Sequence, residues 1–297
     1  MSAESVQKYR QACKESDAKR DAGLVTPEDI TRFDDIIYGD YGKETSLDVY
    51  CPKGTDGPLP VIVSIHGGGW TYGDKELYQH YCMRLAQRGF TVVNFTYRLA
   101  PENRYPAVLE DCFSVFSWIM KNGADYYMDL DNIFMVGDSA GGQLAHQVCC
   151  ILTNPEYAKL FNLNIPAGFK INACALNCGC YKIGPPSILK PVSTGMMADY
   201  LPEDKEEIKR IAPQLETVKN TTAAFPPAFV MSAEGDFLKM MAKPMYNTLK
   251  KLGVETELHI YGDKQHKLGH VFHVNCRLPE AVKCNDDECG FFRRHIK

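Results

Sequence analysis

The sequence predicts an α/β fold, a mostly parallel sheet covered by helices, and two observations predict it. Short apolar runs recur along the chain: "VIVSI" at 61–65, "TVVNF" at 91–95, "IFMVG" at 133–137, "INACALN" at 171–177, "AFVMS" at 228–232 and "TELHIY" at 256–261. Most are separated by segments long enough for crossover helices, and several are apolar at successive positions, as strands buried on both faces are.

Taken in order, residues 3–20 read as a polar helix, a surface arm. Residues 33–52, with alternation in "SLDVYC", read as a hairpin around a glycine-containing turn, and "GTDGPLP" is a loop. Helices are expected at 76–88, 106–122, 140–153 and 240–251; Pro244 leaves the start of the last one open, because proline breaks an interior turn. Between the run at 171–177 and the run at 228–232 lie about fifty residues, more than a connection needs. This stretch holds the helix-like "PEDKEEIKRIAPQ" and the apolar Ile188, Leu189, Met196, Met197, Tyr200 and Leu201. It reads as an inserted cap. One domain over 1–297 is expected, with cap elements at about 1–30 and 180–225.

Composition narrows the function classes. A formal net charge of −4 gives no bulk attraction to nucleic acid or an anionic membrane. The charged "MSAESVQKYRQACKESDAKR" lacks the apolar core of a secretory signal, and no run approaches the 18 apolar residues of a membrane span. A cytoplasmic setting is therefore expected, with the twelve cysteines as reduced thiols. Neither "CALNCGC" (Cys174, Cys178, Cys180) nor "CNDDEC" (Cys284, Cys289) has the paired spacing of a zinc ribbon, so no metal is expected.

Two motifs carry chemistry. "GDSAG" at 137–141 lies between an apolar strand and a helix, the setting in which a GxSxG pattern puts a serine at a sharp turn. Ser139 is the expected nucleophile, and the amide of Ala140, at the helix start, can donate to an oxyanion. "HGGGW" at 66–70 ends another strand with almost no side chains, which frees the amides of Gly68 and Gly69 to do the same. His66 is expected to shape this loop, as a surface or hydrogen-bonded structural residue. A serine needs a base and an acid. Spacing leaves these open: Glu234 and Asp236 follow a strand end, and His266, His270 and His273 lie on one loop after the last strand.

With those motifs in register, the chain resembles the hormone-sensitive-lipase-like branch of the α/β-hydrolases, which includes carboxylesterases, lipases and small deacetylases. The likeness spans roughly 33–276 and rests on "HGGGW", "YRLAPENRYPAVLEDC" at 97–112, "GDSAGGQLA" at 137–145, "FPPAFVMSAEGDFL" at 225–238 and "HVF" at 270–272. It implies the α/β-hydrolase fold, Ser139 as nucleophile, Asp236 as the orienting acid and His270 as the base. It also implies buried or half-buried ion pairs for Arg98 and Glu102, with Asp111 in the same scaffold. The chain departs from the family at Lys239, where a second acid is common, and in the cap and the C-terminal "CNDDECGFFRRHIK".

The expected activity is serine carboxylesterase action on short-chain acyl esters, acetyl to butyryl, with a small-molecule ester as substrate, no nucleic-acid partner, no membrane span and no cofactor; the sequence leaves the oligomeric state open. Trp70, Met196, Met197 and Tyr200 are candidate substrate contacts. A carbohydrate O-acetyl esterase is the rival within enzymes, and a hydrolase-fold protein that only binds a small ligand is the rival outside them.

Overall fold

The computed structural model describes residues 3–183 and 194–297. Eight strands form one sheet: β1 (Ile30–Ile37), β2 (Ser46–Pro52), β3 (Leu59–Ile65), β4 (Thr91–Phe95), β5 (Met128–Asp138), β6 (Ala173–Asn177), β7 (Ala228–Ala233) and β8 (Thr256–Tyr261). Their order is β1-β2-β4-β3-β5-β6-β7-β8. Only the pairs β1/β2 and β2/β4 are antiparallel; the others are parallel. The six expected strands and the hairpin are all present, and the fold is that of an α/β-hydrolase.

Alternation sorts the side chains into two cores. Val61, Val63 and Ile65 join Met135, Leu176 and Val230 on one face, while Ile62 joins Val92, Phe134, Val136 and Phe229 on the other. The first face is covered by α3 (Ala107–Asn122), α4 (Ala140–Thr153) and α8 (Lys239–Lys251), and the second by α2 (Lys75–Ala86) and α9 (Pro279–Arg293). Pro244 is the sixth residue of α8, and the helix continues through it although the ring removes one interior N–H donor. The helix α9, in the segment outside the family resemblance, was not expected.

The cap has two parts. The polar helix α1 (Ala3–Asp21) is tied down by Arg10, which donates to the Thr71 and Ala100 carbonyls at 2.7 and 2.9 Å and to both Glu102 oxygens at 2.9 and 2.6 Å. Glu102 is thus paired, but its side chain is 54% exposed rather than half-buried, because its partner sits on a surface helix. The expected ion pair of Arg98 is buried, on Asp111. A short helix, α5 (Pro155–Ala158), precedes β6, and the insertion after β6 holds α6 (Thr194–Tyr200) and α7 (Lys205–Leu215). Residues 184–193, with Ile188 and Leu189, lie outside the described residues. Arg104 seals the end of α6 by donating to the carbonyls of Ala198, Asp199 and Leu201.

Candidate active site

The loops after β3, β5, β7 and β8 meet at the carboxyl edge of the sheet around a cavity of about 320 Å³. Ser139 sits there with φ 54° and ψ −115°, a conformation L-residues avoid. Close packing enforces it: a Cβ on Gly137 would lie 2.3 Å from the Gly141 carbonyl oxygen, and one on Gly141 would lie 2.0 Å from the Ile65 oxygen. The turn is held by Ser139 N–H donating to the Asn177 carbonyl at 2.9 Å. Trp70, Cys178 and Val271, on the segments that follow β3, β6 and β8, also have positive φ, as do Asp35 and Tyr127 away from the site.

His270 and Ser139 line the same cavity. The His270 Nδ1 lies 2.7 Å from Asp236 Oδ1, whose side chain is fully buried. The carboxylate also accepts from Leu238 N–H at 2.8 Å and from the Ser232 hydroxyl at 2.7 Å. Burial pushes the Asp236 carboxyl up, but the bonds from His270, Ser232 and Leu238 and the charge of His270 outweigh it and hold the group below the usual carboxylate range.

The other candidates lie elsewhere. Glu234 faces away to a 2.9 Å ion pair with Lys239, the residue standing where a second acid is common. His273 is fully buried, and burial depresses it to about 3. His266 pairs with Glu280 at the surface. His66 takes the hydrogen-bonded structural role of the two expected: it is buried, its Nδ1 lies 2.7 Å from the Gly67 carbonyl oxygen, it stacks on Tyr97 at 3.9 Å, and burial lowers it to about 4, so it is a neutral wedge under the glycine loop.

Gly68 and Gly69 line the cavity at φ 108° and 60°. The amide of Gly67 is taken by the Tyr78 hydroxyl at 3.0 Å, whereas those of Gly68, Gly69 and Ala140 have no acceptor among the described residues. Tyr78 in turn donates to Asp138 at 2.8 Å, coupling the glycine loop to the serine turn. Burial raises Asp138 to about 6, and the bond from Tyr78 pulls it down in part. Neither Tyr78 nor Asp138 was singled out from the sequence, since only the tertiary fold brings them together.

Of the four expected substrate contacts, Met196 lines the cavity. The other three are corrections. Trp70 is buried, donates Nε1–H to Gln143 at 3.0 Å and stacks on Tyr200 at 4.7 Å; Tyr200 and Met197 lie in the core beneath the cap. Wall positions missed in the sequence include Tyr9, Cys13, Ser16, Asp17 and Arg20, one face of α1, together with Phe237, whose ring lies 4.3 Å from that of His270.

All twelve cysteines are free. Among the described residues, one group of side chains is close enough to hold a metal ion, Cys178 with Asp236 and His270, their ligand atoms within 4.8 Å. Burial drives the Cys178 thiol well above its ordinary value, and Asp236 and His270 are already bonded to each other, so the donor set does not fit a metal centre.

The family model described as alpha/beta hydrolase fold matches residues 62–270. The chain belongs to the alpha/beta hydrolase fold family. It is 32% identical to the versiconal hemiacetal acetate esterase of Dothistroma septosporum over 250 residues, covering 78% of this chain and 72% of that protein. It is 28% identical to tuliposide A-converting enzyme 1 of Tulipa gesneriana, covering 84% and 66%. Among solved structures, esterase B of Lactobacillus rhamnosis inhibited by a tributyrin phosphonate superposes with a TM-score of 0.86 at 27% identity, covering 99% of this chain and 96% of that one. These relatives place the hydrolase in the esterase branch, with ester hydrolysis as its class of activity. No described helix is long and apolar enough to cross a membrane.

Proposed function

We propose that this hydrolase is a serine carboxylesterase for short-chain acyl esters, working through an acyl-enzyme at Ser139. The observation that carries the reading is the 2.7 Å Asp236–His270 pair facing the same cavity as the strained Ser139 turn and the unengaged glycine amides. Asp236 accepts from Nδ1–H, which fixes the tautomer with its lone pair on Nε2. That nitrogen takes the Ser139 proton as Oγ attacks the ester carbonyl. The Gly68, Gly69 and Ala140 amides receive the oxyanion, and His270 returns the proton to the leaving alcohol. Water then repeats the sequence on the acyl-serine. This chemistry needs no metal or organic cofactor.

The short-acyl preference follows from the roof. The face of α1 and the Met196 side chain bound the cavity, so each methylene that fits gains roughly 0.8 kcal/mol, and one that meets the wall costs about 1–3 kcal/mol. The acetate in the name of the fungal relative and the butyryl groups of the inhibitor on the bacterial esterase point the same way. A second reading, an O-acetyl esterase for carbohydrates, is favoured by the polar groups of that roof, Tyr9, Ser16, Asp17 and Arg20.

An organophosphate ester should label one residue, Ser139, located by mass spectrometry of the digest. Labelling elsewhere, or robust activity with no label, overturns the assignment. Across p-nitrophenyl esters from acetyl to dodecanoyl, kcat/KM should peak at or below butyryl; a maximum at octanoyl or longer rejects the short-acyl reading. Release of acetate from acetylated sugars outpacing all simple esters selects the carbohydrate reading.

A further inference from the structure

The segment "CNDDEC", outside the family resemblance, forms the middle of α9 and carries a carboxyl group the mechanism above does not use. Glu288 is fully buried and has no ion-pair partner among the described residues. Its Oε1 accepts from the Tyr81 hydroxyl on α2 at 2.9 Å, and its Oε2 accepts from Asn177 Nδ2–H at 2.6 Å. Asn177 ends β6, and its backbone carbonyl is the acceptor for Ser139 N–H. One turn earlier on the same face of α9, Asn285 Nδ2–H donates to the carbonyl of His273, three residues beyond His270, at 3.3 Å. The helix thus holds, from behind, both the support of the serine turn and the histidine loop.

An acid buried without a counter-ion is a poor stabiliser, and an apolar residue of similar size would serve the core better. The geometry points to Glu288 as a positioning residue for Ser139, which it serves by clamping Asn177 and thereby the carbonyl that holds the serine turn. This rests on Ser139 being the nucleophile, and it adds a residue outside the triad and oxyanion loops.

The clamp is strongest when the acid is ionised. A protonated carboxyl turns one acceptor position into a donor, which the Tyr81 hydroxyl can turn to accept, but the bond from Asn177 Nδ2–H then goes to a neutral oxygen and loses its charge assistance. Burial raises Glu288 to about 7, with the bonds from Asn177 and Tyr81 lowering it in part. The titratable groups that act on it are Tyr81 on α2, Arg88 just beyond that helix, Asp138 at the end of β5, and Cys284 and Cys289 on α9; behind Tyr81, His273 meets its ring at 5.2 Å. Burial keeps the tyrosine and the cysteines protonated and His273 neutral, which leaves Arg88 and Asp138 as the charges that act on Glu288.

Glu288→Gln approximates the protonated state at every pH. It should lower kcat at pH 8 about 10-fold with KM within about twofold, slow organophosphate labelling of Ser139 in parallel, and remove one ionisation near neutrality from the kcat profile. Asn177→Leu, which deletes the amide but keeps the backbone carbonyl, should do the same, and the double variant should be no worse than either single one. Should Glu288→Gln fail to fold, Tyr81→Phe provides the test. It removes one donor and should move that ionisation up by about half a pH unit or more. Unchanged kcat and profile in folded Glu288→Gln, or an unmoved profile in Tyr81→Phe, overturns the proposal. If the wild type labels on Ser139 while the variants match its rate, this inference alone fails; if Ser139 is never labelled, the reading of the site fails with it.

Discussion

Replacing Arg10 by alanine isolates what the N-terminal helix contributes. The guanidinium makes two bonds to backbone carbonyls, Thr71 next to the glycine loop and Ala100 after β4, and a bidentate pair with Glu102. Arg10 is 20% exposed and Glu102 54%, so the carbonyl bonds weigh more than the ion pair. At about 1 kcal/mol net for each carbonyl bond and a few tenths for the exposed pair, Arg10→Ala should release roughly 2–3 kcal/mol of hold on the helix. That corresponds to about 30- to 150-fold more frequent opening. The far end is fastened separately, by Arg20 on the Leu77 carbonyl and by Arg277 on the Arg20 and Ala22 carbonyls. Opening should therefore spread from the front of the helix. Hydrogen exchange read by mass spectrometry should show amides of residues 3–16 exchanging about 30-fold faster or more, with residues 17–21 less affected. Tyr9 and Cys13 are part of the cavity roof, so KM for butyrate esters should rise several-fold while kcat changes less. Exchange within threefold of wild type, together with an unchanged KM, would refute the account of the helix as a roof pinned by Arg10. Because Arg10 holds the Glu102 carboxyl below its usual range, the pin persists at neutral pH and weakens as pH falls through that lowered value.

Gly68→Ala should be far worse than Gly69→Ala. At Gly68 the new Cβ would lie 1.9 Å from the Tyr72 carbonyl oxygen at φ 108°, whereas at Gly69 it meets the Met196 thioether, which can move aside. Thermal melts and kcat should rank them in that order, with at least 100-fold loss of kcat for Gly68→Ala wherever it folds. Asp236→Asn should lower kcat/KM by roughly 1,000- to 10,000-fold by releasing the tautomer. Glu234→Ala and His273→Ala should stay within tenfold, and a reversal of that ranking would relocate the acid–base pair. Glu288 makes the opposite contribution to stability from Glu102. Its pKa is raised from 4.5 to about 7, so the native state binds the extra proton between those values, and this contribution falls as pH rises through them. The difference between wild type and Glu288→Gln, read by urea unfolding, should shift in favour of the variant by about 3 kcal/mol from pH 4.5 to pH 8; a constant difference refutes it.

The strands from β3 onward were legible because runs such as "VIVSI" are apolar at nearly every position, which a sheet covered on both faces requires. The helix α9 was not. Its buried side includes Asn285 and Glu288 among Ala281, Cys284, Cys289, Phe291 and Phe292, and such a mixture reads as a polar tail until its partners are known. Ser139 was legible because its turn is made by adjacent residues. The acid and the base depended on the family motif, since spacing treats Glu234 and Asp236 alike, and the Lys239 pair that occupies Glu234 is a tertiary fact. Trp70, Met197 and Tyr200 were read as substrate contacts from their apolarity. Apolarity reports burial without saying which void a side chain borders, and these three fill the layer between cap and sheet.

The order in which the chain is made gives α9 another consequence. Its Phe292 stacks on Phe134 of β5 at 4.9 Å, and Phe291 meets Phe229 of β7 at 5.9 Å, so it seals a face of the sheet whose strands are all synthesised before it. While residues 279–293 remain in the ribosome, those rings are open to water and to other nascent chains, a window in which chaperone protection matters most. Ser139, Asp236 and His270 have by then been made, but the helix behind the Asn177 and His273 carbonyl contacts has not yet docked. An unfinished chain therefore carries an exposed aromatic face and an unsupported serine turn, and docking of one helix removes both.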